Sequence, residues 1–132
     1  MPPSNSNHSR KRAEKRGRSA ETIALWFLRA QLFSILERRF KTPGGEIDII
    51  ARRGQMIVFV EVKMRKSGKL EYQALAGVNQ RRILNAARFF LANNPSMADK
   101  ILRFDVIFLA PWSWPRHVRN AFGAFSGVRS NN

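Results

Sequence analysis

The chain has 132 residues, one domain's worth, long enough to remove roughly two-thirds of its unfolded surface from water. Hydrophobic residues make up 44%, which excludes a wholly disordered chain, and Lys plus Arg number 24 against 9 acids, a net charge of +15 that favours polyanionic partners. The absence of cysteine excludes disulfides and thiolate zinc sites and fits a reducing, cytoplasmic setting.

Residues 1–18 are rich in Pro, Ser, Asn and charge and have almost nothing to bury, so they are expected to be a disordered basic arm. Ser19 to about Phe33 reads as a helix. Ser19 is a candidate N-cap, Glu21 sits in the first turn, and Ala24, Leu25, Leu28 and Leu32 recur at helical spacing. This longest apolar stretch, Thr22 to Phe33, contains Arg29 and is too short to span a bilayer, so no membrane segment is expected. Ser34 to Lys41 reads as a first strand, broken by the turn-forming Thr42-Pro43-Gly44-Gly45.

Glu46 to Ile50 alternates polar and apolar, as a half-buried strand does, and Arg52-Arg53-Gly54-Gln55 follows as a turn. Met56 to Lys63 is a β-branched run of the kind buried inside a sheet. Met64 to Ala76 is a basic, glycine-containing connection. Val78 to Leu91 predicts a second helix, with Ile83, Leu84, Ala87, Phe90 and Leu91 on one side and Arg81, Arg82 and Arg88 mostly on the other; Asn93-Asn94-Pro95 ends it. Leu102 to Leu109 is a further strand, Ala110 to Pro115 a loop, and His117 to Ala121 a candidate short strand. A three-strand meander followed by a helix crossover to a fourth strand gives an α/β fold with a four-stranded mixed sheet flanked by helices. The domain is expected over residues 19–123, with 124–132 a flexible tail.

Acids are scarce, so their positions carry weight. Glu46, Asp48 and Glu61 lie inside strands, and Lys63 follows two residues after Glu61. Buried carboxylates are costly unless paired or bound to a cation. A two-residue Arg53-Gly54 turn, or a four-residue Arg52–Gln55 one, places Asp48 opposite Phe59 and Glu46 opposite Glu61. Because side chains alternate faces with period two, Glu46, Asp48, Glu61 and Lys63 then share a face; a three-residue loop without a bulge would break the cluster. Carboxylates beside an ammonium suit a hard divalent cation such as Mg²⁺ or Mn²⁺ and the hydrolysis of a phosphodiester.

The segments Gly45-Glu46-Ile47-Asp48-Ile49-Ile50 and Val58-Phe59-Val60-Glu61-Val62-Lys63 resemble the PD-(D/E)xK signature of restriction-endonuclease-like proteins. With Arg103-Phe104-Asp105-Val106 and Asn120-Ala121-Phe122 the likeness covers roughly residues 17–123 and is closest to the YraN family of endonuclease-like bacterial proteins. The resemblance implies an αβββαβ core, Asp48 and Glu61 as metal ligands, Lys63 as catalytic lysine, and Glu21 as an acid that adds to the metal site. Where relatives often carry a lysine near the start of the second helix, this chain has Asn79-Gln80-Arg81-Arg82, which makes Gln80 and Arg81 substitutes for that role.

Each candidate has a plainer role beside it. Glu46 either supports the metal site or pairs with an arginine, and Glu21 either binds metal or answers the helix dipole. Asp105 is expected to be structural, held by a backbone group or an arginine. Arg65, Lys66, Arg81 and Arg82 are candidate phosphate contacts; a solvated charged face is the alternative. Trp112 and Trp114 are expected to pack their proline-rich loop against the sheet in preference to stacking on bases. His8 and His117 are not expected to be ligands. The leading function is a Mg²⁺-dependent endonuclease, DNA ahead of RNA as substrate, with a homodimer among the open oligomeric states. The alternatives are a non-catalytic nucleic-acid-binding domain and a subunit whose basic surface meets an acidic protein.

Overall fold

The computed structural model describes residues 19–65 and 78–122. The basic arm, the tail after residue 122, Lys66 and most of the connection to the second helix lie outside the described residues. Helix α1 covers 19–30, and the strands β1 (Ser34–Thr42), β2 (Gly45–Arg53) and β3 (Met56–Met64) follow. Helix α2 (Gln80–Asn93) leads through a 3-10 turn, Pro95–Met97, to β4 (Ile101–Leu109) and β5 (Arg116–Val118). The sheet order is β1-β2-β3-β4-β5, with β3 and β4 parallel and every other neighbouring pair antiparallel.

The fold is therefore mixed α/β, with five strands in the sheet instead of the expected four. The short strand expected at His117 to Ala121 forms, shifted to Arg116–Val118, because the backbone of β4 still offers a free edge and takes it at Phe108↔Arg116, Ile107↔His117 and Val106↔Val118. A three-residue edge strand offers little for another chain to pair with. At the other edge, β1 carries Glu37, Arg38, Arg39 and Lys41, and its register shifts between Ile35 and Glu37. Charge and a bulge both discourage pairing with another sheet.

Each helix packs on one face. Helix α1 covers Ile49, Ala51, Val58, Val60, Ile107 and Leu109 with Ala20, Ala24, Leu25 and Leu28. It ends as its last residues dictate: Leu32 turns left-handed at φ 70°, and the Phe33 N–H reaches back to the Leu28 carbonyl at 3.1 Å. That backward bond closes the helix end, and Phe33 then packs in the same cluster as Leu28. The expected helix thus stops three residues short of Phe33.

Helix α2 covers the opposite face. It begins at Gln80, two residues later than the periodicity alone indicates, because the Asn79 side chain caps it by accepting the Arg82 N–H at 3.2 Å. Its Ile83, Ala86, Ala87 and Phe90 are buried, whereas Arg81, Arg82 and Arg88 are exposed. Beneath it the rings of Phe40, Phe90, Phe59, Phe104 and Phe122 run across the sheet with centroids 5.6 to 6.1 Å apart. Each buried phenyl contributes on the order of 2 kcal/mol from apolar burial. Gly45 lets α2 approach this closely: a Cβ there would stand 1.8 Å from the Arg82 carbonyl oxygen. Among the described residues no helix is long and apolar enough to cross a membrane.

Candidate active site

The β2–β3 hairpin brings the acids together. Its turn is Gly54-Gln55, flanked by the pair Arg53↔Met56, and the ladder runs back to Ile49↔Val60. Gly54 at φ 61° in the first loop position gives the mirror-image turn that matches strand twist. The register differs from the expected one by two residues, so Ile50, not Asp48, faces Phe59. The ladder stops at Ile49↔Val60, one residue short of Asp48 and Glu61. Alternation breaks here, because Ile47 packs in the cluster under α2 whereas Ile49 packs in the cluster under α1.

Past Ile49↔Val60 the Asp48 side chain takes over from the ladder: the Val62 N–H donates to Asp48 Oδ2 at 2.8 Å. The carboxyls of Asp48 and Glu61 meet. The Glu61 carboxyl is pushed up from 4.5 to about 9, first by burial, then by its hydrogen bond with Asp48 and the Asp48 charge; Glu46 adds to the rise and Lys63 opposes it. The Asp48–Glu61 pair therefore shares a proton at neutral pH, bridging the two carboxyls. A cleft of about 260 Å³ opens beside Glu61, lined by Glu46, Glu61, Lys63, Asn79, Arg82 and Ile83. Three parts of the chain supply it: the start of β2, the end of β3 and the first turn of α2.

Helix geometry decides which of the basic candidates reach the cleft. Asn79 and Arg82 line it, whereas the exposed Gln80 and Arg81 of the same turn do not. Asn79 was not among the expected site residues; an asparagine three positions before Arg82, at the start of a helical pattern, is the signal for it. Arg65 lies just beyond β3 with its guanidinium 5.2 Å from the Phe108 ring centre. Glu21 is engaged elsewhere: Arg39 Nε donates to its Oε2 at 2.6 Å. Arg39 lies between the β1 residues that pair with Ile49 and Ile47, so it is the residue across from Asp48. Among the described residues no three His, Cys, Asp or Glu side chains gather as a ready metal cage.

On the other face of the sheet a second polar group is closed on itself. Asp105 is 0% exposed and receives Arg103 Nε at 2.8 Å, Arg103 Nη2 at 2.7 Å and the Asn120 N–H at 3.0 Å. His117 Nε2 lies 2.7 Å from Asp105 Oδ2 and its Nδ1 3.2 Å from Gln31 Nε2, so the tautomer protonated on Nε2 satisfies both neighbours. Burial alone would raise the Asp105 carboxyl, but the hydrogen bonds of His117, Arg103 and Asn120 hold it below the usual carboxylate range. Asp105 is thus the structural acid expected. His117, not expected to be a ligand, sits between Asp105 and Gln31.

Trp112 and Trp114 do not pack against the sheet, contrary to expectation. They are 103% and 89% exposed, because the turn at Pro111-Trp112 carries the loop outward from the sheet rim.

Residues 20–109 match the family described as "Uncharacterised protein family UPF0102". A UPF0102 protein of Methylocella silvestris is 48% identical over 112 residues, covering 85% of this chain and 90% of the relative. One from Parvibaculum lavamentivorans is 44% identical over 83% of each chain, and one from Methylorubrum extorquens 44% identical over 92% of this chain and 94% of its own. The matched span takes in α1, both acid-bearing strands, the capped start of α2 and Asp105, and the chain belongs to the UPF0102 family, the YraN family that its motifs resemble.

Proposed function

We propose that the protein is a metal-dependent nuclease of the restriction-endonuclease-like kind, acting on nucleic acid and on DNA ahead of RNA. The observation that carries the reading is the hydrogen bond between the Asp48 and Glu61 carboxyls, with Glu61 lining a cleft that Lys63 and Arg82 also line. Two carboxyls forced together, one of them held protonated by burial and by its neighbour's charge, are a donor set that suits a hard divalent cation. Mg²⁺ or Mn²⁺ needs no three-sided cage, because such ions keep several waters and bind through one or two carboxylates plus substrate phosphate. When bound, the ion would withdraw charge from a phosphodiester and lower the pKa of a water.

The chain's own residues do the rest. Asp48 and Glu61 hold the ion, and Asp48 is itself oriented by the Val62 N–H. Lys63 lines the same cleft, where its ammonium would orient the attacking water and stabilise charge building on the phosphate. Arg82 and the capped N-terminus of α2 hold the phosphate from the opposite wall. Glu46 at the rim tunes the field of the pair. Glu21 joins the ligands only by leaving Arg39.

The test is cleavage of linear, nicked and branched DNAs with Mg²⁺ or Mn²⁺. Chelator-sensitive cleavage that disappears in the Glu61→Gln, Lys63→Ala double variant is expected. Cleavage that survives both changes removes these residues from the chemistry. Salt-sensitive binding indifferent to chelator, with no substrate cut, leaves a binding domain alone.

A further inference from the structure

The β4–β5 loop is built in a way that folding does not require. Its turn is Ala110-Pro111-Trp112-Ser113, closed by the Ser113 N–H on the Ala110 carbonyl at 3.3 Å. Proline at the second position and positive φ at the third, 61° at Trp112, form a pattern in which glycine or asparagine is usual at the third. A tryptophan there adopts a disfavoured backbone and buries nothing in return, since its side chain and that of Trp114 stand in solvent. The two indoles and Ser113 border an open notch of about 260 Å³.

The loop rises from the rim that carries the acid–lysine cluster. Phe108 pairs with Lys63 on one side and with Arg116 on the other, so these three side chains lie in a row on the α2 face. At the spacing of neighbouring strands, Lys63 and Arg116 are roughly 10 Å apart along the backbone row. The Arg65 guanidinium lies over the Phe108 ring between them, with its Nε buried and unpaired among the described residues. A line of cations therefore leads from the cleft to the two tryptophans. Its length is about three nucleotides, at roughly 3.4 Å per stacked nucleotide.

The geometry points to a base-stacking clamp: Trp112 and Trp114 grip an unpaired base of a single-stranded segment while Arg65 and Arg116 hold its phosphates beside the cleft. This assignment rests on the nucleic-acid reading of the cleft and narrows its substrate to one with unpaired nucleotides near the bond to be cut. Base stacking on exposed aromatics flanked by basic side chains is tolerant of sequence, which fits a loop without other polar readers. A blunt duplex keeps its bases stacked inward and cannot enter the notch.

The experiment uses the full chain carrying Trp26→Phe, so that fluorescence reports the loop tryptophans alone, and is run in chelator so that nothing is cut. Binding of a short dye-labelled oligothymidylate and of a dye-labelled blunt duplex is compared at one salt concentration, with every affinity read from the anisotropy of the label and quenching read only in the chain that keeps Trp112 and Trp114. The expected result is quenching by the single strand, and a loss of roughly 5- to 100-fold in its affinity in the Trp112→Ala, Trp114→Ala variant. Duplex binding should change less than about twofold, since it depends on charge, and phenylalanine at both positions should restore most single-strand affinity. No loss, or an equal loss for both nucleic acids, overturns the clamp. So does tryptophan-dependent binding of anionic phosphatidylglycerol vesicles without tryptophan-dependent binding of the single strand, which would mark a membrane-surface loop. Cleavage measured separately with Mg²⁺ distinguishes the two readings: the clamp stands in a chain that binds but never cuts, and the nuclease stands in one that cuts whatever the tryptophans are.

Discussion

Replacing Glu61 by Gln should make the metal-free protein more stable at neutral pH while removing its chemistry. The Glu61 carboxyl titrates at about 9 in the folded chain and at 4.5 in the reference state. For an acid with a raised folded pKa, folding takes up a proton between those values. Its stabilising effect is complete below 4.5 and is lost as pH rises towards 9. At pH 7 the window already crossed is 2.5 pH units, and at 1.36 kcal/mol per unit that costs about 3 kcal/mol relative to acid. Solvent at the open side of the cleft screens the Asp48 charge, so this figure is a ceiling. Glutamine keeps the shape and a hydrogen bond to Asp48 but has no proton to gain. Urea unfolding in chelator, at a series of pH values from about 5 to 9, measures both proteins. The stability gap in favour of Glu61→Gln should widen with pH, by up to about 3 kcal/mol at pH 7. Parallel pH profiles for the two proteins would refute the carboxyl contact.

Divalent cation should displace that same proton, so Mg²⁺ affinity should rise with pH below 9 and binding should release close to one proton, read by calorimetry in buffers of different ionisation enthalpy; Asp48→Asn should abolish the effect. Gly45→Ala forces a Cβ onto the Arg82 carbonyl and should cost about 2 kcal/mol or more, seen as a lower urea midpoint; a neutral substitution would mean that α2 can move away freely. Asp105→Ala strands Arg103 and buried His117 and should cost about 3–5 kcal/mol. Because the Asp105 pKa is lowered, the stability it confers should be present above 3.8 and fade in wild type as pH falls below it, whereas the alanine variant should lack that acid-side loss.

Much of the fold and site is local enough to read from residues. The alternation of Glu46 to Ile50 and the β-branched run before Glu61 specify β2 and β3, but strict period two does not run through Asp48, since Ile47 packs in the cluster under α2 and Ile49 in the cluster under α1. The register could not be read as securely, because Gly54 can occupy either loop position of a two-residue turn; the structure uses the first. Features created by distant segments were not legible. Gln31 and His117 are 86 residues apart, and nothing near His117 announces its buried carboxylate. The fifth strand depends on a free edge that exists only once β4 is in place. Trp112 and Trp114 were misjudged by the ordinary habit of large aromatics to be buried, which holds on average and fails in a loop that turns away from its sheet. Glu21 pairs with Arg39, a neighbour visible only in three dimensions.

The contact at Gly45 has a lasting effect on how the cleft tolerates change. Main chain touches main chain there, with no side chain as a spacer. The gap between the Arg82 wall and the acids is thereby set by peptide geometry, which substitutions at Ile83 or Phe90 cannot rescale. The hydrophobic interior beneath α2 is free to exchange one residue for another of similar bulk over generations while the distance across the reaction chamber stays constant.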